Sequence, residues 1–73
     1  MTKLRVATGR EVCRKLKKLG FKLIRQRGSH TFWRHPDGRA TVVPIHKGEV
    51  LGRGLLRSIL RDIEVSVEEF NDL

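Results

Sequence analysis

The sequence predicts an α+β domain of order α-β-β-β-α, with a three-stranded antiparallel sheet and two helices on one of its faces. Three observations carry that prediction. A capped amphipathic pattern stands near the N-terminus, short β-rich segments punctuated by glycine and proline follow, and a second helical apolar stripe lies near the C-terminus. With 73 residues, the chain reads as one domain spanning 1–73. A domain of this size buries only about 60% of the surface its unfolded chain exposes. A deep cavity for a large organic cofactor is not expected, and no cofactor is assigned.

The first helix opens at Thr8. Thr8-Gly9-Arg10-Glu11 fits a capping box, in which the Thr8 hydroxyl and the Glu11 carboxylate each accept from the other's backbone N–H. Val12, Leu16 and Leu19, with Cys13 beside them, form one apolar stripe, and Arg10, Arg14, Lys15, Lys17 and Lys18 take the remaining surface. Gly20 suits the left-handed position after a helix, which places this helix at 9–19. Phe21, Leu23 and Ile24 favour a strand over 21–27, although apolar and polar residues alternate there only in part. Gly28 punctuates it. Residues 29–35, Ser-His-Thr-Phe-Trp-Arg-His, are rich in aromatic and β-branched types and make the second strand. Pro36-Asp37-Gly38 is a turn, and 39–45 is the third strand, centred on Thr41, Val42 and Val43. Residues 46–54 form a connection. The second helix then buries Leu55 or Leu56, with Ile59, Leu60 and Ile63. Ser66-Val67-Glu68-Glu69 is another capping box, opening a short helix over 67–71 with Val65 and Phe70 as its hydrophobic staple. Helices on one side leave the other side of the sheet open to solvent, as in double-stranded-RNA-binding domains.

Charge supplies the first functional pointer. Sixteen Lys and Arg face eight Asp and Glu, for a net charge of +8. Five of the acids, Asp62, Glu64, Glu68, Glu69 and Asp72, fall after residue 61. Earlier residues therefore hold sixteen bases against three acids (Glu11, Asp37 and Glu49), a net of +13. Such a body binds polyanions, because each neutralised phosphate releases condensed counterions. One cysteine, Cys13, allows no internal disulfide. No apolar run approaches the ~20 residues needed to span a bilayer, and the N-terminus lacks the apolar stretch of a signal peptide. A cytoplasmic location with no membrane partner is expected. Three histidines and a cysteine show no recognised close ligand pairing, and no carboxylate cluster suits two metals, so no metal is assigned. Gly48, Gly52 and Gly54 do not make a phosphate-binding loop.

The segment Gly28-Ser29-His30 is the candidate working end. Side chains alternate across a strand, so His30, Phe32 and Arg34 share one face, while Ser29, Thr31, Trp33 and His35 share the other. Trp33 is the better core candidate, which assigns His30, Phe32 and Arg34 to the open face. A base can stack there on Phe32 and a phosphate can meet Arg34, while Gly28 and Ser29 offer backbone amides to a phosphate. RNA is cleaved without metal when a base removes the proton of a 2′-hydroxyl and an acid protonates the leaving 5′-oxygen. Histidine suits either transfer, its reference pKa of about 6.5 lying near working pH. Arg25, Arg27, Arg34 and Lys47 are the cations available to the charge that develops on phosphorus. The second acid/base is His46 or His35, between which spacing does not choose. A lone strand histidine is also a common structural residue, so residue chemistry by itself does not establish catalysis.

At these residues the sequence resembles the HicA family of messenger-RNA interferase toxins. The resemblance runs through Thr8-Gly9-Arg10-Glu11-Val12 and Leu16-Lys17-Lys18-Leu19-Gly20-Phe21. It is sharpest at Arg25-Gln26-Arg27-Gly28-Ser29-His30 with Arg34-His35-Pro36-Asp37-Gly38, and continues in Val43-Pro44-Ile45-His46 and Gly54-Leu55-Leu56-Arg57-Ser58-Ile59-Leu60. It implies a double-stranded-RNA-binding-like fold and a ribonuclease that arrests translation by cutting mRNA. It further implies that His30 is catalytic, that Gly28 matters for activity, and that a HicB antitoxin covers the site and joins in autoregulated transcription. One departure stands out. The family commonly enters its second helix with Gly-Thr-Leu, whereas this chain has Gly54-Leu55-Leu56. The missing hydroxyl reads as a lost cap of about 1 kcal/mol unless Gly54 substitutes for it.

Overall fold

The computed structural model describes residues 3–73. Its elements are β1 (Ala7–Thr8), α1 (Gly9–Lys18), β2 (Lys22–Arg27), β3 (His30–Arg34), β4 (Ala40–Pro44), β5 (Val50–Leu51), α2 (Arg53–Ile63) and α3 (Val67–Asn71). The expected meander is present as an antiparallel sheet of order β2-β3-β4. A second sheet, not expected, pairs β1 with β5 in the register Ala7 to Leu51 and Thr8 to Val50. Within the segment read as a plain connection, Val50 and Leu51 are thus tied to the N-terminal residues, and Arg53 and Gly54 already belong to α2. A strand of two residues has no alternation to show in a sequence.

Both capping boxes form. Thr8 Oγ1 accepts from the Glu11 amide at 3.2 Å while Glu11 Oε1 accepts from the Thr8 amide at 3.1 Å. The corresponding bonds at Ser66 and Glu69 are 3.1 and 3.5 Å. The Thr8 contacts hold the Glu11 carboxyl below the ordinary glutamate range. Gly9 is needed for a different reason, close approach. A Cβ there would collide with the carbonyl oxygen of Pro44, so the start of α1 sits directly against the end of β4.

The sheet's buried side chains are Thr31 and Trp33 from β3 and Thr41 and Val43 from β4. All occupy odd positions, and all face α1 and α2. There they join Val12 and Leu16 of α1 and Leu56, Ile59, Leu60 and Ile63 of α2 in one cluster. Val65 and Phe70, the proposed staple, are buried in the same cluster. Of the alternatives at the start of α2, Leu56 is buried and Leu55 is exposed.

Thr31 is the polar knot of this core. Its hydroxyl accepts from the Trp33 indole N–H at 2.9 Å and donates to the Val43 carbonyl at 2.6 Å. Cys13 Sγ of α1 lies 3.6 Å from the same oxygen. Further out, Thr41 Oγ1 donates to Asp62 Oδ2 at 2.9 Å, and Arg39 donates to the Ile63 carbonyl, so the start of β4 is fastened to the end of α2.

The cap of α2 corrects a sequence expectation. The N-cap is Gly52, not Gly54, and it makes no side-chain hydrogen bond. Leu55 is the third residue of the helix, so a hydroxyl at that position would not be its N-cap.

Two stability predictions follow from these contacts. Thr31→Val keeps shape but strands the Trp33 N–H, and is expected to lower unfolding free energy by about 1–3 kcal/mol in urea titrations. Gly52→Ser should raise it by about 0.5–1 kcal/mol, through a restored cap and a less free unfolded chain. The site accepts a Cβ without contact and has φ −66° and ψ 157°.

Candidate functional site

The turn between β2 and β3 contains only Gly28 and Ser29, because Arg27 and His30 are paired. Gly28 has φ +57°, and Ser29 is not in the left-handed region, which is the pattern of a type II′ hairpin with glycine at its first central position. A Cβ on Gly28 would touch nothing, so the glycine is required by its backbone angle and not by crowding. Gln26 Nε2 donates to the Gly28 carbonyl at 3.0 Å, and the Ser29 carbonyl accepts from the Ile45 amide at 2.6 Å. The turn is therefore held from both flanks.

His30 leaves this turn on the open face. It stands opposite Arg27 of β2 and Pro44 of β4. Phe32, half-buried, stands opposite Arg25 and Val42, and Arg34 stands opposite Lys22 and Ala40. The Arg25 guanidinium lies 4.8 Å from the Phe32 ring centroid. Among the described residues no carboxylate pairs with Arg25, Arg27 or Arg34. Like charges placed directly opposite one another across strands are destabilising. Lys22 beside Arg34 is such a pair, and an anionic ligand relieves it.

Lys22 is the residue sequence alternation missed. Counting back from Arg25 by twos puts Leu23 on the open face and Lys22 on the other. The pairing slips between Leu23 and Arg25, so that Leu23 faces Trp33 and Arg25 faces Phe32 with Ile24 as the extra residue. This bulge inverts the faces beyond it and swings Lys22 to the open side. The imperfect alternation of 21–27 was its only trace in the sequence.

The two remaining histidines separate clearly. His35 packs edge-on against Phe21 with centroids 5.1 Å apart, and its Nδ1 is 3.1 Å from both the amide and Oδ1 of Asp37. It is a turn residue at the far end of β3. The amide of Arg39, then its side chain, holds the Asp37 carboxyl below the usual aspartate range. His46 is exposed, just past β4. Because the Ile45 amide binds the Ser29 carbonyl, His46 emerges from the sheet beside the Gly28-Ser29 turn. Lys47 follows in an exposed turn closed by the Glu49 amide on the His46 carbonyl. The sheet thus gathers Arg25, Arg27, His30, Phe32 and Arg34 on one face, with Gly28 and Ser29 at its end and Lys47 on a separate loop.

Among the described residues no three His, Cys, Asp or Glu side chains are grouped as a metal-ligand set, and no helix is long and apolar enough to cross a membrane. Comparison with curated proteins finds no match. The family described as the HicA toxin of bacterial toxin-antitoxin systems matches residues 9–65, a span from the start of α1 to just past α2 that includes the whole three-stranded sheet. The chain belongs to this HicA family and is the toxin of a toxin–antitoxin pair, with an antitoxin as its partner.

Proposed function

We propose that this toxin is an endoribonuclease that cuts mRNA without a metal, with His30 as general acid or base. The observation that carries the reading is the position of His30, exposed on an uncovered sheet face, opposite Arg27 and two residues from Phe32. In the reaction a base takes the proton of a ribose 2′-hydroxyl, and that oxygen bonds to the adjacent phosphorus. The bond to the 5′-oxygen breaks, the departing oxygen takes a proton from an acid, and a 2′,3′-cyclic phosphate and a 5′-hydroxyl remain. Histidine serves either transfer, and His46, beside the same turn, is the proposed second group. Arg25, Arg27 and Arg34 stabilise the charge on the phosphoryl oxygens, with Gly28 and Ser29 amides and Lys47 as further phosphate contacts. Phe32 supplies a stacking surface. Family membership supports this reading, as does the cationic character of the face, where among the described residues no carboxylate pairs with Arg25, Arg27 or Arg34. The antitoxin is proposed to be a HicB-type protein that covers this face in the cytoplasm.

His30→Ala should lower the single-turnover rate on unstructured RNA by about 10²–10⁴-fold, with EDTA leaving the wild-type rate unchanged. Equal cleavage by variant and wild type would remove His30 from the chemistry, and RNA binding without cleavage would make the chain a binding domain. Binding should weaken with salt, and Arg27→Gln should reduce the slope of log K against log salt by about 0.7. Filter binding at several salt concentrations measures this slope.

A further inference from the structure

The open face does not end at β4. A groove of about 570 Å³ crosses it from Phe32 and Val42 to the exposed side of α2, within the size range of small-molecule sites. Leu55, Ser58 and Asp62 line its helical wall at spacings of three and four, which is one stripe of α2. Leu55 is 41% and Val42 39% exposed, so apolar surface is left facing solvent here.

The wall formed by β4 carries backbone polar groups as well. The amide of His35 binds the Arg39 carbonyl and that of Ile45 binds the Ser29 carbonyl. Odd-numbered residues of β4 therefore direct their backbone groups toward β3. Even-numbered ones direct theirs outward, so the Val42 N–H and C=O point to the free edge beside the groove. Asp62 is the one acid lining the groove. Its Oδ2 is held by Thr41, which leaves Oδ1 for a second donor. Arg25 and Arg34 lie on the opposite wall.

An apolar floor, cations along one side, and a carboxylate with a backbone donor and acceptor on the other suit a flat heterocycle on a phosphate chain. Strands rise about 3.3 Å per residue, so Phe32 lies about 7 Å from His30 along β3, within reach of the neighbouring nucleotide. We propose that the groove seats one unstacked nucleobase of single-stranded RNA, next to the scissile phosphate, and that Asp62 selects a base bearing an exocyclic amino group. The inference rests on the RNA reading of His30 given above. A carboxylate repels phosphate, and its place within a cationic patch is accounted for when it accepts from such an amino group, as carboxylates do from cytosine N4. Uracil presents a carbonyl at the same position and is repelled.

The test uses uncleavable 2′-O-methyl oligocytidine and oligouridine, which differ chiefly at that atom, with binding followed by fluorescence polarisation. Wild type should bind oligocytidine about tenfold more tightly than oligouridine. Asp62→Asn, which still accepts from Thr41, should erase or invert the preference with an unchanged melting temperature. Leu55→Ala should weaken oligocytidine binding while leaving an abasic oligonucleotide unaffected. Equal binding of the two oligomers by wild type, or the same preference in Asp62→Asn, overturns the proposal. So does a result in which Leu55→Ala loosens the antitoxin complex but not RNA, which would make the groove a protein-docking site. Cytidine preference in a protein that cleaves no RNA would sustain the pocket and remove the nuclease. His30-dependent cleavage with no base preference in binding would do the reverse.

Discussion

The Thr31 hydroxyl is where α1, β3 and β4 meet. It takes the indole proton of Trp33, gives its own to Val43, and lies against the thiol of Cys13. Buried at 1% exposure, it has no water to fall back on, so each bond matters more than its counterpart at a surface. Satisfying the indole within β3 itself lets the largest side chain of the sheet be buried in a thin core. Once Thr31 and Trp33 are fixed inward, strand geometry turns His30, Phe32 and Arg34 outward. The arrangement of the open face is thus determined from behind, by residues that never touch a ligand.

That division of labour explains how so small a toxin can gather cations on one face of its sheet. The helices and the odd positions of β3 and β4 supply the cohesion. The even positions of β3 are free to hold Arg34 beside Lys22, a like-charge pairing that works against folding, and His30 beside Arg27. Of the acids, Glu68 and Glu69 lie in α3, whereas Asp62 lines the groove together with Arg25 and Arg34.

Periodicity and capping made most of this legible from sequence. Thr8-Gly9-Arg10-Glu11 and Ser66-Val67-Glu68-Glu69 carry their geometry in four residues each, and the observed bonds match it. Trp33 was placed in the core by size and parity. Four features were not legible, for separable reasons. The β1–β5 pairing joins segments more than forty positions apart through two residues each, too short for a pattern. The start of α2 was obscured by Gly52 and Gly54, neither of which has a capping side chain. Lys22 and the groove beside α2 depend on a slipped register and on the spacing between elements, which only the assembled chain possesses. The role proposed for His30 was suggested by the Gly28-Ser29-His30 resemblance and not by residue chemistry, which by itself favours a structural histidine.

The irregular pairing at Ile24 has a consequence beyond Lys22. β2 is exposed along its whole length and, among the described residues, has no strand neighbour on its outer side, the kind of border onto which another copy adds a strand. The extra residue breaks the even spacing of its outward N–H and C=O groups, and Lys22, Arg25 and Arg27 set like charge along it. Self-assembly into ribbons is discouraged twice over, by mismatch and by repulsion. Along the β2 border, a chain that leaves one side of its sheet bare thus offers no flat, neutral template for another copy.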